Sequence, residues 1–327
     1  MEKSAGGRLA VAVDRFSLED ALRLAAHRLH ADHAAIMRSA ALIGPTISDT
    51  LAGHFRIRRS FTAGSVMRQT WADTRREMDL IIVLDDVHRG HLGSPPAILI
   101  EQFAAILRET HYTNRRKGMR HAAVGIGGPE SYAFSCPPRI IAVPAFEAPR
   151  GIFIPDQWNE RWICIDPGGF DALCENADRQ YPGWRNLVQV LKTWNNRDEK
   201  FEPFIKPGLL IEAMAMEIAP SLGGLDLGLQ LSVMFQTMYE RFDEEWPDPA
   251  GLAPALTSYM SPKRRAFARQ HVQHAWLTLA QAKKANDRQD YREAKRLARS
   301  VLGRIVSTAP RDEYGDLVEV KPGERIY

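Results

Sequence analysis

What most constrains this chain is the stretch Phe61–Asp86, FTAGSVMRQTWADTRREMDLIIVLDD, because it joins a small-residue turn to a strand that reads as buried. Gly64 and Ser65 are followed, after eleven residues, by acid, apolar, acid (Glu77, Met78, Asp79) and then by the apolar run Leu80–Leu84. A glycine turn lets backbone N–H groups approach an anion closely. Side chains alternate along a strand, so Glu77 and Asp79 share one face while Met78, Leu80 and Ile82 take the other. Two carboxylates on one face, a short way after an anion-seating turn, suit Mg²⁺, which prefers hard oxygen ligands and often shares them between carboxylates and a substrate's phosphates.

This pattern resembles the signature of the polymerase-β-like nucleotidyltransferase superfamily. Arg68 and Thr70 extend the resemblance to the CD-NTases, relatives of cyclic GMP-AMP synthase and of oligoadenylate synthase, which build cyclic or linear oligonucleotide signals in bacterial anti-phage defence. The resemblance implies an α+β fold, a nucleotidyltransferase core of mixed sheet and helices with an α-helical second lobe and a substrate cleft between them. It implies NTP substrates, Gly64 and Ser65 as nucleotide-binding residues, and Glu77 and Asp79 as catalytic ligands of Mg²⁺ or Mn²⁺. A downstream effector or regulatory partner protein would go with such a signal.

Further resemblance runs along the chain in order. Residues 139–146, RIIAVPAF, stand where CD-NTases carry acid-apolar-apolar-Pro-Ala, whose Asp completes the metal-binding trio; here that position is Ile141. Leu191-Lys192-Thr193-Trp194-Asn195 is similar to the family's Leu-Lys-x-Trp-Asn helix, which makes Lys192 a contact to the nucleotide's phosphates or, in its plain reading, a lysine snorkelling at the surface. Residues 206–218, KPGLLIEAMAMEI, match the next family helix at Glu212, with Gly208 and Leu209 in place of the usual Ser and aromatic residue. Two functional readings follow. One is an active synthase in which a ribose hydroxyl attacks an NTP α-phosphorus, with Asp85, Asp86, Glu130 or water standing in for the third ligand. The other is a degenerate relative that binds nucleotide, nucleic acid or a partner protein without polymerising.

Length and composition bound the rest. At 327 residues, 45% hydrophobic and 25% charged, the chain holds one large or two modest globular domains. We expect a core lobe over 1–165, a helical lobe over 166–310 and a loosely held tail over 311–327. A net charge of +3 gives no global case for nucleic-acid binding, and the basic runs at 56–59, 115–120 and 263–265 read as solvated faces. Three scattered cysteines, Cys136, Cys164 and Cys174, speak for reduced thiols, and no apolar run approaches a membrane span. A cytoplasmic protein without membrane contact is expected.

Local signals place the elements. Ser17 and Asp20 cap a helix to about His33, with Leu18, Leu22, Ala25, Ala26 and Leu29 on one face and His27, His30 and His33 on its flank. A second, short helix ends near Gly53, and Pro96 opens another that carries Ile98, Leu99, Phe103, Ile106 and Leu107. A three-strand meander is expected over 121–126, 131–136 and 139–146, then an irregular connector over 149–167 and a helix over 184–195. Leu231, Met234, Phe235, Met238, Tyr239 and Phe242 form a core stripe, two helices fill 263–307, and His271 with His274 reads as helix surface.

Overall fold

A computed structural model describes residues 17–31, 33–72, 77–110, 122–124, 139–156, 159–196 and 202–306. The chain divides into two compact units. One comprises Met1–Ala31, Gln180–Trp246 and Met260–Tyr327; the other comprises Asp32–Arg179 and Pro247–Tyr259. The architecture is α+β.

The second unit is built on a mixed sheet of six strands among the described residues: β1 (Ile57–Ala63), β2 (Glu77–Leu84), β3 (Ala122–Val124), β4 (Arg139–Glu147), β5 (Ile152–Pro155) and β6 (Trp162–Ile165). Their order is β1-β2-β4-β5-β6, with β3 also paired to β4. β2 and β4 run parallel, while the β1–β2, β3–β4, β4–β5 and β5–β6 pairs are antiparallel. A central parallel pair is covered on both faces, which is why β2 and β4 read as continuous apolar runs. Met78, Leu80, Ile82, Leu84, Ile140, Ala142 and Phe146 pack with Ile47 and Leu51 of α2 (His33–Ala52) and with Leu99, Phe103 and Leu107 of α3 (Pro96–Thr110). Residues of the opposite face, Ile81, Val83, Ile141, Val143 and Ala145, form a separate cluster with Ala63 and Ile152.

Two expectations are corrected here. The connector over 149–167 contains β5 and β6, four residues each, too short for a clear alternation and interrupted by Pro155-Asp156. Contacts distant in sequence hold them: the Trp162 indole N–H donates to the carbonyls of His91 and Ser94, and its ring meets Phe146 edge-on at 5.3 Å. The helix expected to be short spans twenty residues as α2 and continues through Pro45, a residue that reads locally as a breaker. The expected strand over 131–136 lies outside the described residues, whereas the strand at 121–126 is β3. The Pro96 helix is as expected except that Ile98 is exposed.

The other unit is helical. It contains α1 (Leu18–Ala31), α5 (Trp184–Asn195), α6 (Leu209–Ile218), α7 (Leu227–Glu240), α8 (Pro262–Asp287) and α9 (Tyr291–Leu302), while α4 (Pro167–Gln180) falls almost wholly in the sheet unit. The Ser17–Asp20 capping box forms: the Asp20 amide donates to Ser17 Oγ at 3.2 Å, and the Ser17 amide donates to Asp20 Oδ2 at 3.0 Å. Leu231, Met234, Phe235, Met238 and Phe242 of the expected stripe are fully buried, while Tyr239 is only half-buried. Among the described residues no helix is long and apolar enough to cross a membrane.

Candidate functional site

The turn after β1 is held by its own backbone. The Arg68 amide donates to the Gly64 carbonyl at 3.3 Å, the Thr70 amide donates to the Ser65 carbonyl at 2.8 Å, and the buried Thr70 hydroxyl adds a bond to that same carbonyl at 3.4 Å. Thr70 thus has a structural task in closing the turn. Arg68 is drawn away toward α4, pairing with Asp171 at 3.5 Å and lying over the Phe170 ring at 4.8 Å.

Antiparallel pairing sets Ala63 opposite Asp79, which brings the turn to the carboxylate. Gly64 has φ +87°, and a Cβ at this position would fall 2.3 Å from Asp79 Oδ2. Glycine is required twice over, once by the dihedral and once by the close approach. Two residues that the sequence set fifteen positions apart are therefore in contact.

The parallel pairing of β2 with β4 is continuous, from Glu77↔Arg139 through Asp79↔Ile141 to Leu84↔Phe146. Ile141 thus stands beside Asp79 with no slip in register. It is 3% exposed and belongs to the apolar cluster of Ala63, Ile81, Val83 and Val143. Glu77 begins β2 two residues before Asp79, which puts it at a same-face position; its side chain lies outside the described residues.

The stand-in carboxylates do not reach this end of the strand. Asp85 caps the 3₁₀ turn that follows β2, accepting from the Val87 amide at 3.2 Å. Asp86 pairs with Arg58 at 2.8 Å and Arg89 at 3.3 Å, and the Arg58 hydrogen bond holds its carboxyl below the usual range. Leu84, just before them, pairs with Ile57 at the start of β1, whereas Asp79 pairs with Ala63 at its end. Glu130 lies outside the described residues. Among the described residues no group of three or more His, Cys, Asp or Glu side chains is placed to hold a metal ion. Of Glu77 and Asp79 only Asp79 has a described side chain, a partly exposed carboxylate whose hard oxygens could serve a Mg²⁺.

In the helical unit, Lys192 of α5 is 6% exposed, so its ammonium is not at the surface. It donates to a carboxylate oxygen of Glu212, in the first turn of α6, and Glu212 is fully buried. A Cβ built on Gly208, at the start of α6, would lie 3.9 Å from Lys192 Cε in ordinary contact. Asn195, at the end of α5, holds the segment that leads into α6: its side chain donates to the Ile205 carbonyl at 3.0 Å and accepts from its amide at 2.7 Å. Glu212 served the sequence comparison only as an alignment anchor. Its partnership was hidden because the two residues are twenty positions apart on different helices, although an acid in a strongly apolar helix was the available signal.

Other candidates resolve simply. His271 stacks on Phe204 with centroids 4.1 Å apart, so it is more than helix surface, while His274 is exposed. The side chains of His27, His30 and His33, together with Cys136 and the 115–120 basic run, lie outside the described residues; Cys164 and Cys174 are not in a disulfide.

No protein-family model and no curated protein matches the sequence. Solved structures do match the fold, and the likeness makes the fold CD-NTase-like. CdnC of E. coli MS115-1, solved with ATP, superposes with a TM-score of 0.63 at 14% identity over 86% of this chain and 98% of that one; CdnC has also been solved in complex with HORMA-deltaN. Vibrio cholerae DncV, a cyclic AMP-GMP synthase described as a prokaryotic cGAS homolog, gives 0.56 at 14% identity over 93% and 92% of the two chains. The Elizabethkingia meningoseptica CdnE cyclic dinucleotide synthase, solved with GTP and Apcpp, gives 0.54 at 19% identity over 72% and 90%.

Proposed function

We propose that this chain binds a Mg²⁺–nucleoside triphosphate through Gly64, Ser65, Glu77 and Asp79 of the sheet unit, with its polymerising chemistry lost or severely weakened. The observation that carries this reading is the pairing of Asp79 with Ile141. The turn and one carboxylate are kept in contact, while the neighbouring strand presents a buried aliphatic side chain. Two-metal catalysis needs ions about 3.5–4 Å apart, one to activate the attacking oxygen and one to neutralise the leaving group. A ligand set of Glu77 and Asp79 supports one ion. The Mg²⁺ or Mn²⁺ would neutralise triphosphate charge, and the turn amides would add hydrogen-bond donors to it.

With this reading we propose a role in anti-phage defence, in the cytoplasm and alongside an effector or regulatory partner; what supports this is the likeness to the CdnE cyclic dinucleotide synthase and to CdnC, which has been solved in complex with HORMA-deltaN. The rival reading, an active synthase of a cyclic or linear oligonucleotide, shares the close approach of Gly64 to Asp79 and parts from the first only at Ile141. Calorimetric titration of the purified chain with each of the four NTPs in Mg²⁺ tests binding. Saturable binding of at least one NTP, lost on omission of the metal, is expected; no heat with any NTP overturns the proposal.

A further inference from the structure

We infer that the helical unit carries a ligand site of its own, a cavity between the end of α7 and the first half of α8 that takes a small planar organic anion. This site is independent of the nucleotide reading above. The cavity measures about 520 Å³, the size of an ordinary small-molecule pocket. Arg265, Arg269, Gln270 and Gln273 line it from one stripe of α8, beside the stripe of Ala268, Val272, Ala275 and Leu279 that is buried in the core. A stripe that served only to pack against α7 would be apolar. This one is cationic and carries amides, and it faces a concave space.

A merely solvated face would leave its long side chains loose, whereas Arg269 is held in place. Its Nε donates to the Tyr239 carbonyl at 3.3 Å and lies 3.3 Å from Asp243 Oδ2, and its guanidinium sits over the Tyr239 ring at 4.1 Å. Trp276 stacks on that same ring, with centroids 5.8 Å apart. Among the described residues the two Nη groups of Arg269 take no hydrogen bond. A guanidinium anchored at Nε keeps that fork for a carboxylate or phosphate, the two groups it matches in shape and charge. Asp243 is 67% exposed, and an exposed ion pair of this kind is weakly held, so it does not commit the arginine. Arg265, one turn earlier, adds a second cation, and two arginines against one aspartate disfavour a cationic ligand. A flat ring laid on the guanidinium would extend the planes of Trp276, Tyr239 and Arg269, with Met260 and Pro262 as its apolar neighbours.

The test uses the full chain, with saturation-transfer NMR for binding and a thermal melt of every variant. The probes are naphthoate, naphthyl phosphate and, as the uncharged control, naphthamide. Saturable binding of at least one of the two anions is expected with a Kd of about a millimolar, ordinary for a probe of this size, and about tenfold weaker binding of the amide. The tighter anion identifies the ligand's acidic group as carboxylate or phosphate, and either result supports the site. Arg269→Gln should weaken binding about tenfold or more, the size of a lost charge-assisted hydrogen bond. Ala266→Trp, at an exposed position that lines the cavity, fills the space without touching its charge and should do the same with the melting transition retained. No saturable binding of either anion, equal binding of the amide, or wild-type affinity in Ala266→Trp overturns the inference. Failure of every NTP to bind would defeat the nucleotide reading and leave this site standing.

Discussion

β2 and β4 are neighbours in register and present their odd-numbered residues to the same face, yet at one height they differ completely: Asp79 on the first, Ile141 on the second. Asp79 is partly exposed and sits where the missing side chain of Gly64 makes room, whereas Ile141 is 3% exposed among aliphatics. A carboxylate at position 141 would have to be desolvated unless a cation met it, and the isoleucine removes that demand. The difference teaches that one face of the sheet serves two ends: β2 holds a partly exposed carboxylate against a glycine turn, while β4 gives the same height to the apolar core.

The largest effect is expected at the retained ligand. Asp79→Ala should weaken Mg²⁺–ATP binding about 100-fold or more in calorimetry, since loss of an outer-shell partner alone costs about 10- to 100-fold. Binding that survives this change would erase the contrast between the strands. Next comes Ile141→Asp, which should lower the unfolding free energy by about 3–5 kcal/mol in urea melts without divalent metal, as an uncompensated buried charge does. Mg²⁺–ATP should return part of that stability, because it supplies the missing countercharge.

Gly64→Ala should cost about 1–3 kcal/mol, for a non-glycine residue held at positive φ and pressed against the Asp79 carboxylate, and urea melts read it directly. The smallest effect is Gly208→Ser. Gly208 has φ −61° and ψ −18°, helical values open to any residue, and ordinary space beside Lys192, so the substitution should fit and raise stability by about half a kcal/mol by narrowing the freedom of the unfolded chain, which urea melts against wild type would show.

The legible parts of this sequence were those written in local pattern. The start of β2 at Glu77, the Ser17–Asp20 cap and both ends of α5 follow from alternation, capping and helical spacing, and the structure has all three. What escaped depends on contacts made far along the chain. β5 and β6 exist because Trp162 reaches the 91–94 carbonyls, α2 continues through Pro45, and the Lys192–Glu212 pair joins two helices. The site lies between these cases. Gly64, Asp79 and Ile141 could be picked out by spacing, but that Gly64 touches Asp79 and that Ile141 stands beside it are facts of strand register, which no count of residues supplies.

The most direct test of a site kept for binding without its chemistry is turnover. The purified chain is incubated with all four α-labelled NTPs and Mg²⁺ or Mn²⁺, beside Asp79→Ala and beside a variant carrying Glu77→Asp and Ile141→Asp. We expect no phosphatase-resistant product from the wild type and measurable product from the variant with the carboxylate trio restored. Product from the wild type that vanishes in Asp79→Ala would contradict the account and show that the chain polymerises nucleotides with the ligands it has.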